Sequence, residues 1–137
     1  MNPLNAIVLK HEGLKLKPYK DTRGFTTIGV GRNLDVCGIS SEEAYTMLDN
    51  DLTRCQLELI SFSWYGCMDE IRKGVIIELV FNVGLSKALQ FTKMIAALKI
   101  LDYPTASKEL LNSDWAVQVG RDRSNNMASR LLLGRYL

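Results

Sequence analysis

Histidine is nearly absent from this sequence, and its scarcity limits the kinds of catalytic site that the chain can build. His11 is the single histidine among 137 residues, so a Ser-His-Asp or Cys-His arrangement would depend on it alone. It belongs to a short stretch with helical spacing, in which adjacent side chains diverge by about 100°. We therefore expect His11 to be a partly exposed helix residue and not a catalytic base.

Cysteine is also scarce, and the few cysteines do not form a recognisable framework. The chain has three cysteines, Cys37, Cys55 and Cys67, so at least one cannot form a disulfide within the chain. Their spacing does not suit a zinc site. The first residues, MNPLNAIVLKHEG, lack the basic start and apolar segment of a signal peptide. We therefore expect three reduced thiols, no metal centre and no signal peptide.

Other absences exclude further classes of protein. The longest apolar runs are much shorter than a membrane span, so we expect no stable membrane insertion. The segment Gly29–Gly31 lacks the third glycine of a dinucleotide-binding loop, and no Walker A loop is present. The balance of 47% hydrophobic and 23% charged residues is typical of one globular domain. A hydrolase that needs no cofactor fits these absences.

The segment HEGLKLKPYKDTRGFTTIGVGRNL carries the most informative pattern in the chain. Residues 2–12 have the spacing of a short helix that Gly13 ends. The stretches Leu16–Tyr19 and Phe25–Gly31 have the pattern of two strands, with the turn DTRG between them. The pattern predicts a helix followed by a β-hairpin.

Two carboxylates and a hydroxyl lie within this helix and hairpin. Glu12 ends the helix, Asp21 lies at the turn and Thr27 is on the return strand. Cleavage of a glycosidic bond uses two carboxyl groups, one protonated and one ionised, on either side of the scissile oxygen. Glu12, Asp21 and Thr27 are therefore the candidate catalytic residues.

The segment resembles the phage-type lysozymes, glycoside hydrolase family 24. The family signature is Glu-Gly, a short run ending in Tyr-x-Asp, then Gly and Thr-Ile-Gly-x-Gly. It matches here at Glu12-Gly13, Tyr19-Lys20-Asp21, Gly24 and Thr27-Ile28-Gly29-Val30-Gly31. The resemblance implies a single α+β, lysozyme-like domain over residues 1–137. A helix and β-hairpin lobe at about 1–38 and a mainly helical lobe at about 39–137 would have a cleft between them.

The resemblance also implies an activity and a role for each site residue. The chain would be a muramidase that hydrolyses peptidoglycan at the β-1,4 bonds between N-acetylmuramic acid and N-acetylglucosamine. Glu12 would protonate the leaving oxygen, and Asp21 with Thr27 would position a water for an inverting attack. The residues expected to bind substrate are Gly31, Arg32, Asn33 and Phe81, and Arg121 is expected to orient Glu12.

The rest of the chain has helical spacing, which predicts five or six helices. Ser40 and Glu43 form a capping-box pattern before the first of them. Further helices are expected at 69–83, Phe91–Leu101, Pro104–Leu111, Asp114–Gln118 and Asn125–Leu133. Family matches continue here in Leu79–Gly84, Phe91-Thr92, Ser113-x-Trp115, Gln118 and Arg121.

The chain also departs from the family. The segment Asp35–Gly38 is much shorter than in the best-known member of the family, and two substrate contacts of that enzyme align with Met94 and Glu109. Aromatic residues at helical spacing belong to the core more often than to a cleft. We expect Trp115 to be a core residue, and for Phe81 the core and the cleft remain equal alternatives.

Charge is unevenly distributed along the chain, which fits either an anionic partner or a solvated surface with no role. Residues 1–32 carry six basic and two acidic side chains, and residues 115–137 carry four basic and one acidic. If the two ends of the chain meet in space, they form a basic surface that would aid encounter with anionic peptidoglycan glycan strands. The pI of about 8.4 is modest and no basic, aromatic-rich motif is present, so nucleic acid is not an expected partner. The resemblance implies a monomer that is made in the host cytoplasm, released by a holin and active on the wall in the periplasm.

Two alternatives remain open from the sequence. A lytic transglycosylase acts on the same polymer and needs only one essential acid. A non-catalytic module that binds the wall or an inhibitor could also use a lysozyme fold. The presence of all three candidate catalytic residues, Glu12, Asp21 and Thr27, argues against a non-catalytic module. The departures from the family at Arg32, Asn33 and the shortened segment leave that alternative open.

Overall fold

A computed structural model describes residues 1–137. It has ten helices and one three-stranded antiparallel sheet, which confirms the α+β class. The chain divides into two compact units, Met1–Met47 and Leu48–Leu137, and the division falls within a long helix, α3 (Ser41–Leu59). No helix combines the length and the apolar character that crossing a membrane requires.

The first unit begins with helix α1 (Pro3–Glu12), as the sequence predicts for residues 2–12. The Asn2 side chain accepts a hydrogen bond from the Asn5 amide at 2.8 Å, which satisfies one of the free amides of the first turn. Gly13 ends the helix with a φ of 76°, and its amide donates to the Leu9 carbonyl. The boundaries of α1 therefore follow from its capping residues.

The hairpin is also present, but the second predicted strand is wrong at its end. Strand β1 (Lys15–Lys20) pairs with β2 (Thr26–Gly29), which pairs in turn with β3 (Arg32–Asn33). The strand expected over Phe25–Gly31 stops at Gly29 because Gly29 and Gly31 have φ values of 69° and 70°. This left-handed backbone reverses the chain within two residues, and glycine adopts it without steric cost.

Two helices of different length follow the sheet. Helix α2 (Leu34–Cys37) is a single turn that the sequence does not predict as a separate element. The capping box before α3 is confirmed, because the Glu43 amide donates to Ser40 Oγ at 3.1 Å and the Ser40 amide donates to Glu43 Oε2 at 2.8 Å.

The second unit contains seven further helices besides the C-terminal part of α3. Their bounds are α4 (Ser63–Gly66), α5 (Glu70–Val83), α6 (Leu85–Ala88), α7 (Thr92–Lys99), α8 (Tyr103–Leu111), α9 (Asp114–Val119) and α10 (Arg121–Leu133). The expected helices are confirmed, although α10 begins four residues earlier than Asn125. The single turns α4 and α6 are not predicted, since elements of four residues are too short for a 3.6-residue periodicity to register.

The core lies in the second unit, and α5 contributes four buried residues to it. These four residues are Val75, Ile76, Leu79 and Val80. Ile71 and Val83 of the same helix are half-buried. Fully buried side chains from the neighbouring segments complete the core: Leu59, Leu98, Leu110, Met127 and Leu131.

Arg72 fixes the end of α10 to the start of α5. Its guanidinium donates to the carbonyls of Leu131 and Leu132, both at 2.7 Å, and pairs with Asp69 at 2.9 Å. It also lies over the Tyr103 ring, 3.7 Å from the centroid. These contacts satisfy carbonyls that a helix C-terminus leaves without partners inside the helix.

Candidate active site

Glu12 is the last residue of α1, and its carboxylate lies directly against the backbone of Gly31. A Cβ atom placed on Gly31 would be 2.7 Å from Glu12 Oε2, which is closer than Cβ atoms approach a non-bonded neighbour in proteins. Gly31 also has a φ of 70°, in the left-handed region. A side chain at position 31 would therefore displace the Glu12 carboxylate from its place at this turn. The Glu12 side chain itself is exposed.

Asp21 lies at the β1–β2 turn, and backbone amides orient its carboxylate. Asp21 Oδ1 accepts hydrogen bonds from the amides of Arg23 and Phe25, each at 2.9 Å. The Asp21 amide donates to the Phe25 carbonyl, also at 2.9 Å. The second carboxylate oxygen, Oδ2, receives no hydrogen bond from the protein, so the turn fixes the group and leaves one oxygen for a ligand.

Thr27 is the most buried residue of the first unit, with 3% of its surface exposed. It lies in the middle strand of the sheet, opposite Tyr19 on one side and Asn33 on the other. Its hydroxyl donates to the Phe25 carbonyl at 3.1 Å, which leaves the hydroxyl oxygen free to accept. Asp21 and Thr27 are thus both bonded to the backbone of Phe25.

Arg32 and Asn33, which the resemblance assigns to substrate binding, both hold local structure. Arg32 pairs with Glu43 through two hydrogen bonds, at 3.0 and 2.7 Å, and donates to the Gly38 carbonyl at 3.1 Å. The hydrogen bond from Arg32 lowers the pKa of Glu43 to about 2, and the same pair raises the pKa of Arg32. Asn33 Oδ1 accepts from the Val36 amide at 3.1 Å and so caps α2. A role of either residue in substrate binding remains a prediction.

Asp35 is a residue of this region that no motif in the sequence identifies. Its Oδ2 accepts a hydrogen bond from the Thr26 amide at 2.7 Å, beyond the last pair of the β2–β3 ladder. The position of this contact depends on the turn of helix α2, and that turn is too short to be recognised from periodicity.

The remaining expected residues belong to the second unit. Phe81 is 44% exposed and lines a groove of about 630 Å³ within that unit, so it is not a core residue. Trp115 is buried, as expected for the core, and its indole N–H donates to Asn82 Oδ1 at 2.8 Å. Arg121 begins α10, with an exposed side chain. Arg123, two residues further along α10, pairs with Glu78 at 3.2 Å.

A second groove, of about 520 Å³, opens on the same unit. Met94 and Glu109, the positions that align with substrate contacts of the best-known family member, both line it. Met94 is buried. Of these two residues, Glu109 alone has a polar side chain that could contact a ligand. Nowhere in the chain do three or more His, Cys, Asp or Glu side chains lie together in a way that could hold a metal ion.

Comparison with known proteins identifies the family. The Phage lysozyme family profile matches residues 9–130. A probable T4-type lysozyme of Dictyostelium discoideum is 29% identical over 90% of this chain and 89% of its own length. The endolysin of Salmonella phage P22 is 29% identical over 74% of each chain. The pre-baseplate central spike protein Gp5 of Enterobacteria phage T4 is 26% identical over 91% of this chain, which spans only 27% of that longer protein. The chain therefore belongs to the phage lysozyme family and is, at the level of that family, a peptidoglycan hydrolase of the glycosidase type.

Proposed function

We propose that this protein is a muramidase that cleaves the β-1,4 bond between N-acetylmuramic acid and N-acetylglucosamine. Glu12 is the general acid and protonates the leaving glycosidic oxygen. Asp21 is the base that, with Thr27, positions the attacking water on the opposite face of the sugar. The observation that carries the proposal is the arrangement of Asp21, whose Oδ1 is held by two backbone amides while Oδ2 has no protein donor.

This arrangement suits a water-positioning role better than a nucleophilic one. The Thr27 hydroxyl donates to the Phe25 carbonyl, so its oxygen accepts a hydrogen bond from an approaching water. An inverting enzyme needs space for that water, and its two carboxyl groups stand about 6.5–9.5 Å apart. A retaining enzyme has them at about 5–5.5 Å, with one attacking directly. Because Asp21 Oδ2 has no protein donor and the Thr27 hydroxyl oxygen is free to accept, we propose that these groups hold one water and that the reaction inverts, with an α-configured first product.

The glycan strand is the partner that this mechanism requires. Gly31 lets the Glu12 carboxylate lie at the turn after β2, and Phe81 offers an exposed ring for a sugar face. Arg121 supports Glu12 in this proposal, as the family resemblance implies. In a phage setting the protein would act on the wall as a monomer in the periplasm, after release from the host cytoplasm by a holin.

Analysis of the digestion products tests the proposal. Purified peptidoglycan is incubated with the protein, and the fragments are examined by mass spectrometry. Hydrolysis gives new reducing ends on N-acetylmuramic acid. Anhydro-muramyl ends would instead identify a lytic transglycosylase, and binding without any fragments would identify a non-catalytic wall-binding module.

The stereochemistry is tested on the same reaction. Proton NMR of the anomeric signal, recorded early in the hydrolysis of a wall oligosaccharide, should show the α-anomer first. Initial appearance of the β-anomer would mean retention, and the water-positioning role of Asp21 and Thr27 would then be wrong.

A further inference from the structure

The short helix α2 contributes a carboxylate to the strand that carries Thr27. Strand β3 is only two residues long, and its ladder with β2 ends at the pair Thr27 and Asn33. The next amide of β2, that of Thr26, has no strand partner on this side. Asp35 Oδ2 takes its place and accepts the Thr26 N–H at 2.7 Å. A side chain thus continues the ladder where the backbone has ended.

The hydrogen bond of Asp35 acts at the point where the candidate catalytic groups are anchored. Thr26 follows Phe25 directly. The Phe25 amide donates to the Asp21 carboxylate, and the Phe25 carbonyl accepts hydrogen bonds from the Asp21 amide and the Thr27 hydroxyl. A shift at Thr26 therefore moves both catalytic partners of the water. On its other side Thr26 is held only by its pairing with Lys20, whose ammonium donates to Thr26 Oγ1 at 2.6 Å.

Asp35 is in turn held in place by the residues around α2. Asn33 caps the helix through the Val36 amide at 3.1 Å, which fixes the first turn that carries Asp35. Arg32 bonds the Gly38 carbonyl at the end of α2 and pairs with Glu43 of α3. Both ends of α2 are therefore fixed by neighbouring side chains. A carboxylate that accepts a backbone N–H forms one of the stronger hydrogen bonds in proteins.

We propose that Asp35 is a positioning residue for catalysis, acting through the Thr26 amide to hold Asp21 and Thr27 in register. The proposal rests on the proposed function, since it assigns Asp35 to the same reaction. Its effect falls on the chemical step, because Asp35 orients groups that act on the water. Misplacement by about 1 Å can cost roughly a hundredfold in rate.

Kinetics on soluble glycan strands with four variants test the proposal. Asp35→Ala removes the acceptor and should lower kcat by about ten- to a hundredfold, with KM within about twofold. Asp35→Asn retains an oxygen acceptor and should recover most of the lost rate. Asp35→Glu keeps the charge but moves the carboxylate one methylene further out, so it should remain impaired. Glu42→Ala is the matched control, because Glu42 is an exposed acid of the same unit whose carboxylate makes no hydrogen bond or ion pair.

Hydrogen exchange at the Thr26 amide gives a readout that does not depend on activity. Exchange should be faster in Asp35→Ala and Asp35→Glu than in the parent, and near parental in Asp35→Asn. If Asp35→Ala does not fold, the Asp35→Glu and Asp35→Asn pair decides the question. Parental kcat in a variant whose Thr26 amide has lost protection would overturn the proposal, as would equal impairment of Asp35→Asn and Asp35→Glu. A parent protein that releases no fragments would instead refute the proposed function.

Discussion

At the scale of single residues, the proposed mechanism requires Glu12 to deliver a proton. Glu12→Gln keeps the shape of the side chain but removes the transferable proton, so the rate of wall lysis should fall by about a hundred- to ten-thousandfold. The fold should survive, because the side chain is exposed. A turbidity assay on chloroform-treated Gram-negative cells, at equal folded protein, measures the change. Lysis within about threefold of the parent would remove Glu12 from the role of acid.

Gly31 offers a second test at this scale, with Gly29 as its matched control. Both glycines have φ near 70°, so alanine strains the backbone similarly at each, at about 1–3 kcal/mol. Only Gly31 lies against Glu12, whereas a Cβ on Gly29 meets nothing within 4 Å. Gly31→Ala should therefore lower the lysis rate about tenfold or more beyond Gly29→Ala, at a similar loss of stability. Equal activity of the two variants would show that the approach of Glu12 to Gly31 has no catalytic importance.

At the scale of elements, capping residues and one arginine define the ends of the helices. Arg72 donates to two terminal carbonyls of α10 and lies over Tyr103, with 17% of its side chain exposed. Its removal leaves these groups without their charged donor, so Arg72→Ala should lower the free energy of unfolding by about 2–4 kcal/mol. The control is Arg54→Ala, which breaks an exposed pair with Asp51 and should cost about 0–1 kcal/mol. Urea denaturation measures both, and similar losses would contradict this role of Arg72.

At the scale of the whole molecule, lowered carboxylate pKa values predict instability in acid. Hydrogen bonds from Arg32 and Ser40 lower the pKa of Glu43 from 4.5 to about 2. Hydrogen bonds from Thr105 lower the pKa of Asp102. Burial acts to raise the pKa of Asp69, but the hydrogen bonds and the charge of Arg72 together outweigh it, so the pKa of Asp69 is lowered. A carboxyl group whose pKa is lower in the folded state than in the unfolded state stabilises the fold at any pH above its unfolded-state pKa. This stabilisation should decline as the pH falls from about 4.5 towards 2.

Thermal unfolding between pH 6 and pH 2 checks this prediction, with Glu43→Gln as the informative variant. The amide keeps the shape of the side chain but does not titrate, so Tm of the variant should fall less steeply with decreasing pH than Tm of the parent. Glu42→Gln serves as control, because the Glu42 carboxylate has no partner, and its slope should match the parent. Parallel curves for parent and Glu43→Gln would mean that the Arg32 pair contributes nothing to acid stability.

Local patterns in the sequence determined much of this protein. The first helix, the hairpin, and the capping box at Ser40 and Glu43 depend on contacts between near neighbours in the chain. Spacing and capping chemistry therefore suffice to predict them. The signature from Glu12 to Gly31 likewise identified the family that the comparisons confirm.

Only the tertiary structure decided how the side chains of the site are used. Arg32 and Asn33 follow the signature directly, yet one pairs with Glu43 and the other caps α2. Asp35 bonds the Thr26 amide across nine residues of chain, through a helix of one turn. No periodicity reports such contacts, because they depend on where the chain places a carboxylate in space and not on the residue types beside it.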